Sequence, residues 1–289
     1  MLTCLAKPLR STLLVLLCLL TVNGCARIDL AYRNLDVLVP WSLNGYLDMN
    51  REQKTWLDQQ LKQQLAWHCQ TQLPGYLEWL GGVRQLVVDD QVTDQALRER
   101  TEQAREAIGR VAEAITPSAG ELLRGMSDEQ VTAMAQAFAD DIRERRAEYV
   151  DTPLPKQIAE RAKRMEKRLK PWLGSLSAAQ RQRVASWSQA LGDQNQQWIA
   201  NREQWQQRLL ALVRERHAAD FEPRLAQLLQ HKENLWTPQY RAAFERTEQQ
   251  ARSLIVDLLA ESSAEQRQML VQRLDKVRQD FSALKCMKS

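Results

Sequence analysis

Tryptophan, asparagine and arginine share one face of the segment between residues 184 and 212. Val184, Leu191, Trp198, Trp205 and Leu212 repeat every seven residues, a spacing that keeps side chains in line along a helix. The companion positions of the repeat turn polar in its middle, at Gln194, Asn195, Asn201 and Arg202. A coiled-coil seam is apolar at both sites, and a buried polar group without a partner costs about 1–3 kcal/mol. Asn195, Trp198, Asn201, Arg202 and Trp205 therefore form either a semi-polar interior or one wall of a groove. Aromatic walls with a few convergent polar groups are a common composition for ligand sites, so the chemistry on offer is binding. Reactive constellations are missing. His68, His217 and His231 fall at no metal-ligand spacing, and no GxSxG elbow, P-loop or GxGxxG occurs. The paired acids Asp89-Asp90 and Asp140-Asp141 are expected at helix ends or on charged faces, away from any shared cleft. The chain is expected to be no enzyme and to use no metal and no cofactor.

The elements that must position these residues are helical. The chain is rich in Gln, Arg, Leu, Ala and Glu, with apolar residues at spacings of three and four; only LVVDD at 86–90 hints at a strand. Helices are expected at 50–71, 74–89, 93–116, 127–150, 154–173, 177–218 with a break at Gly192 left open, 220–232, 237–260 and 263–285. Short interruptions at Pro74, Thr116-Pro117, Pro153 to Pro155, Pro171 to Ser175 and Asn234 to Thr237 favour antiparallel neighbours. The expected fold is all-α, an antiparallel multi-helix bundle with one long Trp-rich helix and no sheet. Helix starts carry a common signature. Asn50, Ser127, Ser177, Thr237 and Ser262 supply an N-cap oxygen, and Gln130, Gln180 and Glu265 stand three residues after their serines, the spacing of a capping box.

Composition narrows the partners. The chain has 289 residues and a net charge of +4. Two of its basic residues, Lys7 and Arg10, lie in the first 24 positions with no acidic residue there, so the remainder is nearly balanced and offers no electrostatic case for nucleic acid. The helix expected at 154–173 is the exception. Lys156, Arg161, Lys163, Arg164, Lys167, Arg168 and Lys170 flank its apolar stripe, so it is either a solvated face or a surface for anionic headgroups and lipopolysaccharide.

The start of the chain addresses location. Lys7 and Arg10 precede an apolar run from Ser11 to Val22 that is shorter than the roughly 20 residues needed to span a bilayer. Val22-Asn23-Gly24-Cys25 resembles the bacterial lipobox, with Asn23 a departure from its pattern. The resemblance implies a signal peptide at 1–24, cleavage before a diacylated Cys25, and a lipidated, palmitate-bearing N-terminal segment at 25–48 ahead of a helical domain at 49–289. Ala26 after the cysteine implies the outer membrane, facing the periplasm, rather than the inner membrane. Cys69 and Cys286 then remain, and in an oxidising compartment they either pair as a disulfide or stay as two thiols. Residues 28–46 are rich in apolar and aromatic side chains, Trp41 among them, and either pack on the bundle or rest at lipid headgroups.

Two family resemblances follow from these motifs. The repeated [Leu/Met]-[Ser/Thr/Asn]-x-x-Gln pattern resembles the LTxxQ motif of the Spy/CpxP periplasmic proteins, small helical proteins of the envelope-stress response that include an ATP-independent chaperone. The same pattern is also what good capping looks like. Cys25, Tyr32-Arg33-Asn34-Leu35-Asp36, Val39-Pro40-Trp41 and Leu65-Ala66-Trp67-His68 resemble an uncharacterised family of proteobacterial lipoproteins. Together they imply a membrane-tethered, chaperone-like or stress-related binder of client peptides or proteins. The other reading is a structural lipoprotein that binds lipopolysaccharide, peptidoglycan or an envelope protein.

Overall fold

The computed structural model describes residue 32 and residues 34–287; the expected signal peptide, Cys25 and Arg33 lie outside the described residues. Among these, every regular element is helical. In chain order they are α1 (Leu35–Leu47), α2 (Arg51–Trp67), a π-helical turn (His68–Gln72), α3 (Leu73–Val88), α4 (Asp94–Arg124), α5 (Asp128–Tyr149) and α6 (Leu154–Leu173). Then come α7 (Ala178–Ala190), α8 (Gln194–Arg214), α9 (Phe221–Gln230), a 3₁₀ turn (Lys232–Leu235), α10 (Pro238–Ala260), α11 (Ala264–Ser282) and a last 3₁₀ turn (Lys285–Met287). α8 runs along α5, α3 along α11, α9 along α4, and α6 along α7. The fold is the all-α bundle expected from the sequence.

Two apolar cores organise the bundle. The first gathers Leu47, Leu57, Met126, Met134, Val213 and Phe221 with their neighbours. The second gathers Leu173, Val184, Trp187, Leu191, Leu254 and Leu258 with theirs. A small third cluster surrounds the Cys69–Cys286 disulfide, which joins residues 217 apart in sequence with Cα atoms 6.2 Å apart. In the chain-entropy picture a 100-residue loop already stabilises by about 4.7 kcal/mol, and this loop is longer. The bridge links the π-helical turn to the end of the chain. Beside it the Tyr32 hydroxyl lies 3.0 Å from His68 Nδ1, and burial lowers the His68 pKa.

Each core is closed by the same device. At α2, Asn50 and Gln53 form a reciprocal capping box, and at α5 Ser127 and Gln130 form another. The two boxes interlock. Gln53 Nε2 donates to Gly125 O at 2.9 Å and to Gln130 Oε1 at 3.1 Å. Gln130 Nε2 donates to Asp48 O and to Gln53 Oε1, both at 2.8 Å. In the second core the boxes of Ser177–Gln180 (α7) and Ser263–Gln266 (α11) do the same. Gln180 and Gln266 exchange amide bonds at 3.0 Å, and each also reaches a backbone carbonyl of the opposite strand of chain, Leu258 O and Ser175 O. A helix N-terminus leaves unpaired N–H groups, and here one glutamine serves its own cap and a second helix at once. The preceding residues Met49, Met126 and Leu176 are buried in the cores. The last box is Ser263 with Gln266, correcting the expected Ser262 with Glu265. Ser262 instead donates its hydroxyl back to Leu258 O.

Several other expectations shift. Residues 86–90 end α3 and its following turn, with no strand. α4 continues through Pro117 to Arg124. The ring removes one bond, but Thr116 is buried, donates to Ala112 O and accepts from Gln230 Nε2, and the following turn packs Leu122 and Leu123 into the first core. The segment 177–218 divides at Gly192, whose φ of +49° places it in the left-handed region that glycine enters freely. The long Trp-rich helix is therefore α7 followed by α8, and the seven-residue repeat is not one seam. Val184 and Leu191 enter the second core, and Leu212 enters the first. Residues 35–47 form a helix that packs on the bundle through Leu43, Tyr46 and Leu47, while Val37 (62 % exposed) and Trp41 (77 % exposed) face outward. Among the described residues no helix is long and apolar enough to cross a membrane.

We expect Gln180→Leu to lower unfolding stability by about 2–4 kcal/mol, because it removes a cap and strands buried polar partners. Denaturant unfolding checks this against Gln95→Leu, a change on an exposed helix face; equal effects for the two would show that the amide pair adds nothing.

Candidate functional site

The Gly192 break aims the middle of α8 at a cleft of about 810 Å³. Trp198, Asn201, Arg202 and Trp205 all line it, so four of the five expected groove residues come together. Asn195 does not. It is buried at the first turn of α8, where its Nδ2 donates to Tyr149 O at 2.9 Å and to Gln157 Oε1 at 3.3 Å, fastening α8 to the α5–α6 connection.

The remaining walls come from elements whose contribution the sequence reading left out. α4 supplies the floor, with Ile108 62 % exposed beside Gly109 and Ala112. The link between the 3₁₀ turn and α10 supplies Trp236, and α10 supplies Tyr240 and Phe244. Trp236 stacks edge-on to Tyr240 with centroids 5.1 Å apart and lies 4.6 Å from Phe244, so the three rings form one aromatic surface. Tyr240 and Phe244, four residues apart on α10, were a legible signal for a shared helix face, and Trp236 joins them from the extended residue before its cap. Burial raises the Tyr240 pKa, keeping its phenol neutral. Arg105 sits over Phe244 at 5.7 Å and pairs with Glu248 and Glu102. Arg208 donates to Leu235 O at 3.2 Å, and no carboxylate among the described residues is within salt-bridge distance of it. Trp205 Nε1 donates to Leu228 O. The cleft thus offers aromatic and aliphatic surface with charged groups of both signs, Arg105, Arg208, Glu233 and Glu248 among them.

Behind the α8 wall lies Asp141, which corrects the expectation that it sits on a charged face. Its side chain is 9 % exposed. Oδ1 accepts from Arg145 Nε at 2.8 Å and from the Tyr46 hydroxyl at 3.2 Å; Oδ2 accepts from Arg202 Nε at 2.6 Å and Gln206 Nε2 at 2.9 Å. One carboxylate therefore joins α1, α5 and α8. Burial pushes its pKa up, but the bonds from Arg202, Gln206 and Arg145 outweigh that and hold it at about 2. A carboxylate with four donors and so low a pKa is a poor proton acceptor at neutral pH. Its work is to fix Arg202 on the cleft wall.

The basic helix α6 is not uniformly outward. Arg161 is buried, with Nη1 on Ser188 O and Nη2 on Gly192 O, both at 2.9 Å. It neutralises the C-terminal end of α7, where a cation suits the helix dipole, and burial lowers its pKa. Lys156, Lys163, Lys167, Arg168 and Lys170 are exposed. Among the described residues no group of three or more His, Cys, Asp or Glu stands close enough to hold a metal ion.

Fold and cleft define an all-helical protein with an aromatic-walled recess between its cores. The chain belongs to a family of unknown function (DUF6279), whose model matches residues 45–241. That stretch includes the α4 floor, the α8 wall and the cleft aromatics up to Tyr240. No curated protein and no solved structure matches the chain.

Because folding lowers the Asp141 pKa, its contribution is complete above the ordinary value of 3.8 and is lost as pH falls towards about 2; it is worth about 2 kcal/mol. We expect Asp141→Asn to cost about 3 kcal/mol at neutral pH, since it leaves partly buried guanidinium groups unpaired, and to flatten the acid limb of the stability curve. Urea unfolding from neutral pH down to strongly acidic solution checks both; an unchanged acid limb would remove Asp141 as the hub.

Proposed function

We propose that the protein is a lipid-anchored, non-catalytic binding protein of the periplasm that holds exposed apolar and aromatic side chains of client polypeptides, in the manner of an ATP-independent chaperone. The observation that carries this reading is the cleft itself. Trp198 and Trp205 on one side and Trp236, Tyr240 and Phe244 on the other leave room for a chain segment between aromatic surfaces. Aromatic walls bind by area and stacking with little demand for one sequence, which suits varied clients. Arg208, with no carboxylate within salt-bridge distance among the described residues, favours acidic groups or the backbone carbonyls of an extended segment.

The lipobox-like Cys25 supports the tether, and α1 supports a membrane-facing side. This helix carries apolar residues on two sides: one lies on the first core, while Val37, Leu38 and Trp41 are exposed. An indole with aliphatic neighbours suits the headgroup region. The outer membrane is the proposed location, with the body facing the periplasm.

Two measurements test this reading. The full chain is expected to suppress aggregation of a chemically unfolded model protein without ATP. Ile108→Asp, which puts a charge on the cleft floor, and Trp198→Ala are expected to weaken the effect several-fold. No suppression at molar excess of the folded protein would end the chaperone reading. For the tether, Cys25→Ala is expected to move the protein from the membrane to the soluble fraction and to abolish a precursor that accumulates with globomycin. Wild-type fractionation of that variant would remove the lipid anchor.

A further inference from the structure

α6 carries seven basic residues against two acidic ones, Glu160 and Glu166. Its apolar side is already taken. Ala162 and Leu173 are buried in the second core, and Met165, Leu169 and Trp172 pack against it. The side left to solvent is uniform in charge. Between residues 156 and 170 every exposed side chain except Ala159 is basic: Lys156, Lys163, Lys167, Arg168 and Lys170. Helical geometry lines up the four lysines. At about 100° per residue they fall within roughly 60° of one another, and at about 1.5 Å per residue the line from Lys156 to Lys170 is about 21 Å long.

The bundle does not answer this charge. Among the described residues no carboxylate is within salt-bridge distance of any of the four lysines or of Arg168; Glu160 instead reaches Arg164, at 3.9 Å. α7, packed beside α6, has no acidic residue. Elsewhere surface arginines are paired across helices, as in Arg84–Asp275, Arg183–Asp257, Arg252–Asp94 and Arg267–Asp90. The arrangement also works against α6 itself. Lys163, Lys167 and Lys170 are like charges four and three residues apart, which destabilises a helix. Lys156 lies in the first turn, at the positive end of the helix dipole, where no acidic residue offsets it. An anionic layer along the ridge would relieve all of these at once.

We propose that this lysine ridge docks the protein on the phosphate headgroups of an anionic bilayer. Three features select a flat charged surface over other polyanions. The ridge is convex and has no groove to hold a strand. Its line is made of lysines, which act as point charges, whereas a single defined phosphate is matched by the arginine fork. No exposed aromatic stands on it to stack a base or anchor a protein partner. With the apolar side of α6 held in the core, the contact is electrostatic, without insertion among acyl chains, and salt reverses it. The surface is separate from the client cleft and does not depend on a lipid at Cys25.

The test uses the full chain carrying Cys25→Ala, so that no acyl group contributes. Co-sedimentation is measured with vesicles of phosphatidylcholine alone and of phosphatidylcholine mixed equally with phosphatidylglycerol. At low salt, binding to the mixed vesicles is expected to exceed binding to the neutral ones at least about tenfold, and the excess is expected to vanish at about 1 M salt. Lys163→Glu with Lys167→Glu is expected to reduce the excess at least about tenfold, while Lys163→Arg with Lys167→Arg keeps it. Circular dichroism checks that the variants fold, and Lys156→Gln with Lys170→Gln repeats the test should the charge reversal not fold. No preference for anionic vesicles, or a preference unchanged by the charge reversal, overturns the proposal. Tighter binding to duplex DNA than to the mixed vesicles at equal phosphate also overturns it, by assigning the ridge to a polyanion in solution. Ile108→Asp is expected to leave vesicle binding intact, and the charge reversal to leave aggregation suppression intact, which separates this result from failure of the client reading.

Discussion

The constraint on which the rest of the structure depends is the need to satisfy helix N-termini in a body made of helices. Each N-terminus exposes N–H groups that no residue of its own helix can accept from, and burial makes them expensive. Here four of them are brought together two by two, and each pair is closed by two glutamines. A serine or asparagine with a glutamine three residues on would cap one helix. Once the glutamine's Nε2 also reaches across to the other box, local capping becomes tertiary register. Gln53 with Gln130 fixes α2 against α5, and Gln180 with Gln266 fixes α7 against α11. The buried residues just before the caps place each pair in the floor of a core. A short motif that describes only local geometry thereby sets long-range packing.

The cleft follows from how the two cores are joined. α7 belongs to the second core and α8 to the first, and the left-handed Gly192 between them lets the chain change direction. A straight helix would carry the seven-residue line of apolar residues into one seam. The break delivers its two ends to different cores and leaves Trp198 and Trp205 between. Asp141 then secures that wall. Its four donors draw on three helices, so the position of Arg202 is tied to α1 and α5 as well as to its own helix. An ion pair this enclosed contributes less to stability than its contacts suggest, because desolvation opposes it. What it supplies is geometry, a fixed guanidinium beside an apolar recess.

Much of this was legible in the residues, and the parts that were not share a reason. Helix positions followed from spacing and caps because those are local. Trp198, Asn201, Arg202 and Trp205 were identifiable because a polar interruption of an apolar repeat is visible along one helix. Asn195 looked equivalent by the same rule, yet one turn of α8 separates a residue facing the cleft from one facing the α5–α6 connection. Asp141 was misread because its neighbours in sequence are charged, while its partners lie 61 and 65 residues further on. Pro117 signalled a break, and long-range packing of Thr116 and Leu122 overrode it. The opposite wall of the cleft was written in Trp236, Tyr240 and Phe244, but which helix faces which is a property of the assembled cores.

α1 is the element at which the proposed tether meets the bundle. A helix with apolar residues on two sides gains by having both covered. The bundle covers Leu43, Tyr46 and Leu47, and Asp141 holds Tyr46 in place. Only about ten residues separate Leu35 from Cys25, a reach of at most roughly 35 Å when extended. A lipid on Cys25 would therefore keep the outer face, with Val37 and Trp41, within range of the bilayer at all times, and local concentration would favour its lying there.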